Sequence, residues 1–138
     1  MQITRQTEYA IRTLMELSKV NKGDYLQTKV ISEKQNIPEV FLKKTIQLLS
    51  YAGLVKTKRG SLGGVSLNIP SSEITIADVL RAIEGKLAIN PCLTDKEYCI
   101  NCSSCPVHKV LNRAQERLIE ELSRETIEDI VNGKIHTD

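Results

Sequence analysis

The chain has 138 residues, the size of one domain, and 41% of them are hydrophobic, which is enough for a core that needs no disulfides. No apolar run approaches the roughly 20 residues of a membrane span, and the polar first residues lack the apolar core of a signal peptide, so we expect a cytoplasmic protein with no membrane partner. The net charge of +2 divides into +6 for residues 1–69 and −4 for residues 70–138, which suggests that the first half faces a polyanion.

The first half of the chain predicts three helices. Apolar residues at helical spacing predict a helix over residues 5–20. Thr28 is expected to cap a short second helix that ends near Asn36. Pro38 is expected to be the first residue of a third helix, because its missing N–H has no helical partner there, and Gly53 suits the position just past the end of that helix.

A hairpin follows the third helix. Residues 54–59 and 65–69 read as two short strands, and the glycine-rich residues 60–64 form the turn between them. A short helix, a tight turn, a second helix and a hairpin are the layout of a winged helix-turn-helix, which we therefore expect over residues 1–70.

The second half, residues 71–138, is expected to form one compact unit with the first. A capping box at Thr75 predicts a helix that ends at Gly85. A cysteine-containing loop at residues 90–108 leads into a long helix over residues 106–124, and a last short helix follows it. The chain is therefore expected to be mainly α with a small β-hairpin.

Positive charge concentrates in the winged part of the chain. From Val40 to Ser72 there is no acidic residue, and five cations lie on the third helix and the hairpin: Lys43, Lys44, Lys56, Lys58 and Arg59. If they meet on one side, lysines would contact phosphates of duplex DNA while the helix enters the major groove. A solvated basic helix beside a basic hairpin is the alternative. Aromatic residues are only 4% of the chain, which argues against single-strand binding, since that needs stacking platforms.

One short segment holds all four cysteines and one of the two histidines, in the order Cys92, Cys99, Cys102, Cys105 and His108. In a reducing compartment, clustered thiols more often bind metal than form disulfides. Spacing alone favours an iron–sulfur cluster and a structural zinc site about equally. A thiol-redox or electron-transfer enzyme is a weaker interpretation, because no recognisable acid–base pair or triad accompanies the thiols.

Three features together resemble the Rrf2 family of bacterial winged-helix regulators, which includes iron–sulfur-biogenesis, nitric-oxide-sensing and iron-responsive regulators. They are residues 1–12, the wing motif Arg59-Gly60-x-x-Gly63-Gly64, and Cys92, Cys99 and Cys105 with His108. The resemblance implies a non-enzymatic repressor or activator, with a repressor favoured, that senses redox state, iron or cluster supply, or nitric oxide. It implies a homodimer on a palindromic operator in double-stranded DNA, with the long helix 106–124 as the dimerisation helix.

The resemblance also implies functional residues. The cluster, with 2Fe–2S favoured and 4Fe–4S possible, would be held by Cys92, Cys99, Cys105 and His108, with Glu8 of the partner subunit as an alternative fourth ligand. Cys102, which the three-cysteine pattern of the family lacks, is a further alternative for that position. A zinc-stabilised winged-helix protein without a sensory cluster is the alternative function. DNA would be contacted by Pro38, Glu39, Val40, Lys43, Lys44, Lys56, Lys58, Arg59, Gly60 and Ser61. Pro38-Glu39-Val40 departs from the small hydroxyl residues of the biogenesis regulator, so the operator sequence does not carry over.

Overall fold

The computed structural model describes residues 2–95, 97–101 and 103–137. Within these residues, no helix is long and apolar enough to cross a membrane. The helices are α1 (Arg5–Ser18), α2 (Thr28–Gln35), α3 (Glu39–Tyr51), α4 (Ile76–Glu84), α5 (Pro106–Leu122) and α6 (Ile127–Val131), and the strands are β1 (Val55–Lys58) and β2 (Gly64–Leu67). Short 3₁₀ turns lie at Ser71–Glu73 and Pro91–Leu93. The expected fold class, mainly α with one small hairpin in a winged helix-turn-helix, is confirmed.

A three-residue turn joins α2 to α3. Asn36 takes the left-handed conformation with a φ of 52°, and the next N–H, that of Ile37, donates to the carbonyl of Ser32 at 3.0 Å. Ile37 is buried and anchors the turn in the core. The expectations for Thr28 and Pro38 were each wrong by one position: Thr28 is the first residue of α2, and Pro38 is the cap that precedes α3. Proline suits that cap because it has no N–H that would need a partner.

The wing is an antiparallel pair with Val55 opposite Leu67 and Lys58 opposite Gly64. A further bridge ties it to the segment before α2, since Leu26 and Val65 exchange two backbone hydrogen bonds of 2.8 Å. A Cβ on Gly64 would lie 2.3 Å from the carbonyl oxygen of Leu26, so only glycine allows the chain to approach this closely. The wing is therefore attached to the body of the protein at its second strand.

The second half packs on the same core as the first. Helix α1 contacts α3, α4 and α6, so it lies at the centre of the fold. Capping boxes open α4 and α6, as expected for Thr75, and the N–H of Ile127 donates to the carbonyl of Ile74 at 2.8 Å. The buried cluster joins residues of both halves, among them Leu14, Leu42, Leu49, Ile74, Val79 and Ile127.

Helix α5 is the exception, because no residue of its 17 is buried. Its main contacts with other elements are to α4 and to the 3₁₀ turn Pro91–Leu93. The Gln115 side chain fixes it to the preceding loop by accepting the N–H of Ile89 at 2.9 Å. The remaining faces of α5 are open, including apolar positions.

Candidate nucleic-acid interface and cysteine centre

All ten residues expected to contact DNA are exposed: Pro38, Glu39, Val40, Lys43, Lys44, Lys56, Lys58, Arg59, Gly60 and Ser61. Helix α3 buries one face, made of Leu42, Thr45, Ile46 and Leu49, and turns its other face to solvent. Because α3 packs directly on β1, the exposed cations of the helix and of the wing belong to adjoining elements. Among the described residues, no carboxylate forms an ion pair with these cations, so they are available to a polyanion.

The tip of the wing has a fixed geometry. The N–H of Gly63 donates to the carbonyl of Gly60 at 3.0 Å, and a Cβ on Gly63 would lie 2.1 Å from the carbonyl oxygen of Lys58. The Gln27 side chain donates to the carbonyl of Ser61 at 3.1 Å, which attaches the tip to the start of α2. The sequence did not point to Gln27, because a hydrogen bond across 34 positions has no local signal.

A second set of contacts fixes α2 and α3 against α1. The Arg12 guanidinium donates to the carbonyl of Gln35 at 3.0 Å, near the end of α2, and lies 5.2 Å from the centre of the Tyr9 ring. The Glu16 carboxylate accepts from the Gln35 side chain at 2.5 Å. The Tyr9 ring in turn lies 6.4 Å from that of Phe41 on α3. Side-chain contacts therefore connect α1 to both helices of the helix-turn-helix.

The cysteine segment lies beside the start of α5. Cys92 is in the 3₁₀ turn that packs on α5, Cys105 is the residue that caps α5, and both are half-buried, as is Cys99. The alternative ligand Cys102 lies outside the described residues. Within residues 2–95, 97–101 and 103–137, no three His, Cys, Asp or Glu side chains lie close enough together to hold a metal ion.

His108 supplies the observation that bears on a bound group. It is the third residue of α5, and its Nδ1 atom is buried with no hydrogen-bond partner within the described part of the chain. Burying an imidazole nitrogen without a partner costs about 1–3 kcal/mol, so such an atom calls for an explanation. Glu8, in contrast, is exposed in the first turn of α1. Three thiols and one unsatisfied imidazole fit an iron–sulfur cluster, or zinc, in their donor chemistry.

A hydrogen-bonded contact joins the neighbourhood of this segment to α1. The carboxylate of Glu84, the last residue of α4, accepts from the hydroxyls of Thr4 at 2.5 Å and Thr7 at 2.8 Å. The loop after α4 leads directly into the cysteine segment. The beginning of α1 is thus tied to the end of α4, six residues before the cysteine segment begins.

Comparison with known proteins agrees with this geometry. Residues 3–133 match the family model Rrf2, described as an iron-dependent transcriptional regulator. Protein aau3 of Rhizobium meliloti is 37% identical over 135 residues, covering 97% of this chain and 87% of that protein. The HTH-type transcriptional regulator NsrR of Bacillus licheniformis is 31% identical over 137 residues, covering 99% of this chain and 96% of that one. The structure of CymR, the global cysteine regulator of B. subtilis, aligns with a TM-score of 0.75 at 27% identity over 100% of this chain and 99% of that chain.

Proposed function

Because the chain belongs to the Rrf2 family of transcriptional regulators, we propose that it is an iron–sulfur-cluster-dependent repressor that binds a palindromic operator in the cytoplasm. Proteins of this family are DNA-binding regulators and not enzymes. The observation that carries the proposal of a cluster is the buried, unsatisfied Nδ1 of His108 in the same short segment as Cys92, Cys99 and Cys105. The family description, iron-dependent, supports the choice of iron over zinc.

The residues that would hold the cluster are Cys92, Cys99, Cys105 and His108. When bound, the cluster would supply a centre that reacts with oxidants and nitric oxide and that is lost when iron is scarce. Cys105 lies at the N-terminus of α5, where the peptide N–H groups of the first turn have no side-chain cap and favour negative charge on a sulfur ligand. Pro106, which has no N–H, follows as the first helical residue, so the first turn has one fewer donor without a helical partner.

A short series of side-chain contacts connects the region of the cysteine segment to the surface that we propose contacts DNA. Glu84, at the end of α4 and six residues before that segment, binds Thr7 on α1, and Tyr9 on α1 lies against Phe41 on α3. A hundredfold change in operator affinity requires about 2.7 kcal/mol. Net hydrogen-bond contributions of about 0.5–1.5 kcal/mol each are large enough that gaining or losing two or three contacts in this series supplies it. In this proposal, residues 1–70 bind DNA and residues 71–138 sense and dimerise.

The dimer interface that we propose is the open face of α5. Val107, Val110, Ala114 and Leu118 recur at helical spacing and are exposed, with Val107 at 62% and Val110 at 53%. They form a stripe beside the half-buried positions that face α4, and an apolar stripe of this kind is the usual signature of a helix that packs on another helix. Two copies of the chain related by a twofold axis would match the two halves of a palindrome.

The interface is tested by sedimentation of Leu118→Arg. This substitution places a charge in the stripe, and we expect a monomer at concentrations where the unaltered protein is a dimer. Glu116→Arg is the matched control, because it places the same side chain about 160° around the helix, at 100° per residue. A dimeric Leu118→Arg protein would show that the stripe is not the interface.

The cluster is tested by purification without oxygen, followed by a visible spectrum and a count of iron and acid-labile sulfide. We expect coloured protein with both elements present. Colourless protein with stoichiometric zinc would replace this proposal with the zinc-stabilised alternative. The fourth ligand is found by comparing spectra of His108→Ala, Cys102→Ala and Glu8→Ala, with His136→Ala as the control, because that exposed histidine is paired with Glu125.

A further inference from the structure

Val40 is an aliphatic side chain in a place where packing gives no reason for one. It is the second residue of α3 and is 76% exposed, while the buried face of that helix begins at Leu42. Valine is also a weaker helix former than alanine or the long polar residues, so helix stability does not favour it at an exposed position. The neighbouring Phe41 is different, since its ring lies against Tyr9.

The surroundings of Val40 are polar and mostly basic. Glu39, Lys43 and Lys44 are exposed on the first two turns of the same helix. In the first turn of α3, Val40 thus presents two methyl groups with a restricted χ1 among charged side chains. In a helix-turn-helix protein, the residues at the start of the recognition helix contact base edges. The Val40 side chain carries no donor or acceptor, so it cannot read the hydrogen-bonding pattern of any base pair.

We infer that Val40 reads the 5-methyl group of a thymine in the major groove, so that each operator half-site has a thymine at a fixed position. This inference rests on the proposed function, because it assumes that α3 enters the major groove. Thymine is the only standard base that presents a methyl group there, and apolar side chains contact it. Removing one thymine methyl group from water on binding should increase the affinity about fourfold per half-site, or roughly sixteenfold for two half-sites.

The experiment begins with duplexes that the protein selects from a random-sequence pool. Each thymine of the selected operator is then replaced, in both half-sites, by deoxyuridine, which removes the methyl group and leaves the hydrogen-bonding edge unchanged. We expect one symmetric pair of replacements to weaken binding about sixteenfold for the unaltered protein. The same pair should cost Val40→Ala clearly less, because alanine lacks the two methyl groups that reach furthest from the helix, while Lys43→Ala, the control, should bind more weakly overall and keep the full sensitivity.

The outcomes separate this inference from the function on which it rests. An operator that tolerates deoxyuridine at every thymine, or a Val40→Ala protein that keeps the sensitivity, overturns the inference and leaves DNA binding intact. A protein that selects no sequence from the pool overturns both. A loss of affinity that appears with deoxyuridine and is clearly smaller for Val40→Ala establishes the contact between the two methyl-bearing groups.

Discussion

Replacing Gly63 with alanine tests the geometry of the wing. The new Cβ would lie 2.1 Å from the carbonyl oxygen of Lys58 and 2.8 Å from the carbonyl carbon of Arg59. Since Cβ atoms essentially never come within 3.0 Å of such atoms, the turn must open by about 0.9 Å. Forced expansion of this kind lowers the free energy of unfolding by about 1–3 kcal/mol. Because a turn at the surface can relax, we expect a value of about 1 kcal/mol. We therefore expect the Tm to fall by about 4 °C.

The same displacement moves Arg59, which directly follows Lys58 at the tip. An arginine contact to DNA contributes about 1–3 kcal/mol, so its misplacement should weaken operator binding by about tenfold. Fluorescence anisotropy at fixed salt measures the affinity, and thermal unfolding measures the stability. Gly133→Ala is the matched control: Gly133 has a φ of +71° with open space around it, so alanine there costs about 1 kcal/mol of strain far from the wing.

Two results would refute this reasoning. If Gly63→Ala lowers the Tm and binds the operator as tightly as the unaltered protein, the wing tip does not contact DNA. If it changes neither quantity, the close approach of Gly63 to Lys58 is wrong. Gly133→Ala should lower the Tm by a similar amount with no change in operator affinity, so stability loss alone cannot imitate the expected result.

Arg59→Ala should reduce the slope of log affinity against log salt concentration by about 0.9 for each arginine lost, and by twice that in a homodimer. Lys134→Ala, the control, should leave the slope unchanged. Equal slopes for the two variants would contradict the assignment of Arg59 to the DNA contact. Asn36→Ala should cost about 1 kcal/mol in chemical denaturation, because alanine resists the left-handed conformation, and Asn36→Gly should cost almost nothing. The Glu125 carboxylate accepts the backbone N–H of His136 and lies 2.7 Å from its ring nitrogen, which lowers the pKa of Glu125. Its contribution to stability is therefore present at neutral pH and is lost as pH falls below about 4.5. Glu125→Gln should be less stable than the unaltered protein at pH 7 and equal to it in strong acid, and a difference that persists in acid would contradict this.

The features that the sequence predicted well depend on nearby residues. The capping box of α4 joins Thr75 to Asp78, three positions away, and glycines such as Gly53 mark helix ends because their φ is positive. The turn between α2 and α3 was predicted within one residue for the same reason. Local hydrogen bonds leave a local pattern, and the pattern is visible before folding.

The features that were missed are contacts between distant positions. The bridge from Leu26 to Val65 and the hydrogen bond from Gln27 to Ser61 attach the wing, and nothing in the residues around Gln27 signals either. For the candidate centre, the sequence names the sulfur donors, but only the fold shows that Nδ1 of His108 is buried without a partner. The contacts that would bring the ligands together remain a prediction.

We propose that a cluster held by the cysteine segment controls the affinity for the operator. This proposal is tested most directly by measuring operator affinity on one anaerobic preparation before and after its iron is removed, with dimer content checked in both states. We predict a change of about a hundredfold with the dimer intact, corresponding to about 2.7 kcal/mol of coupling. Equal affinities for the iron-loaded and iron-free dimers would contradict the account.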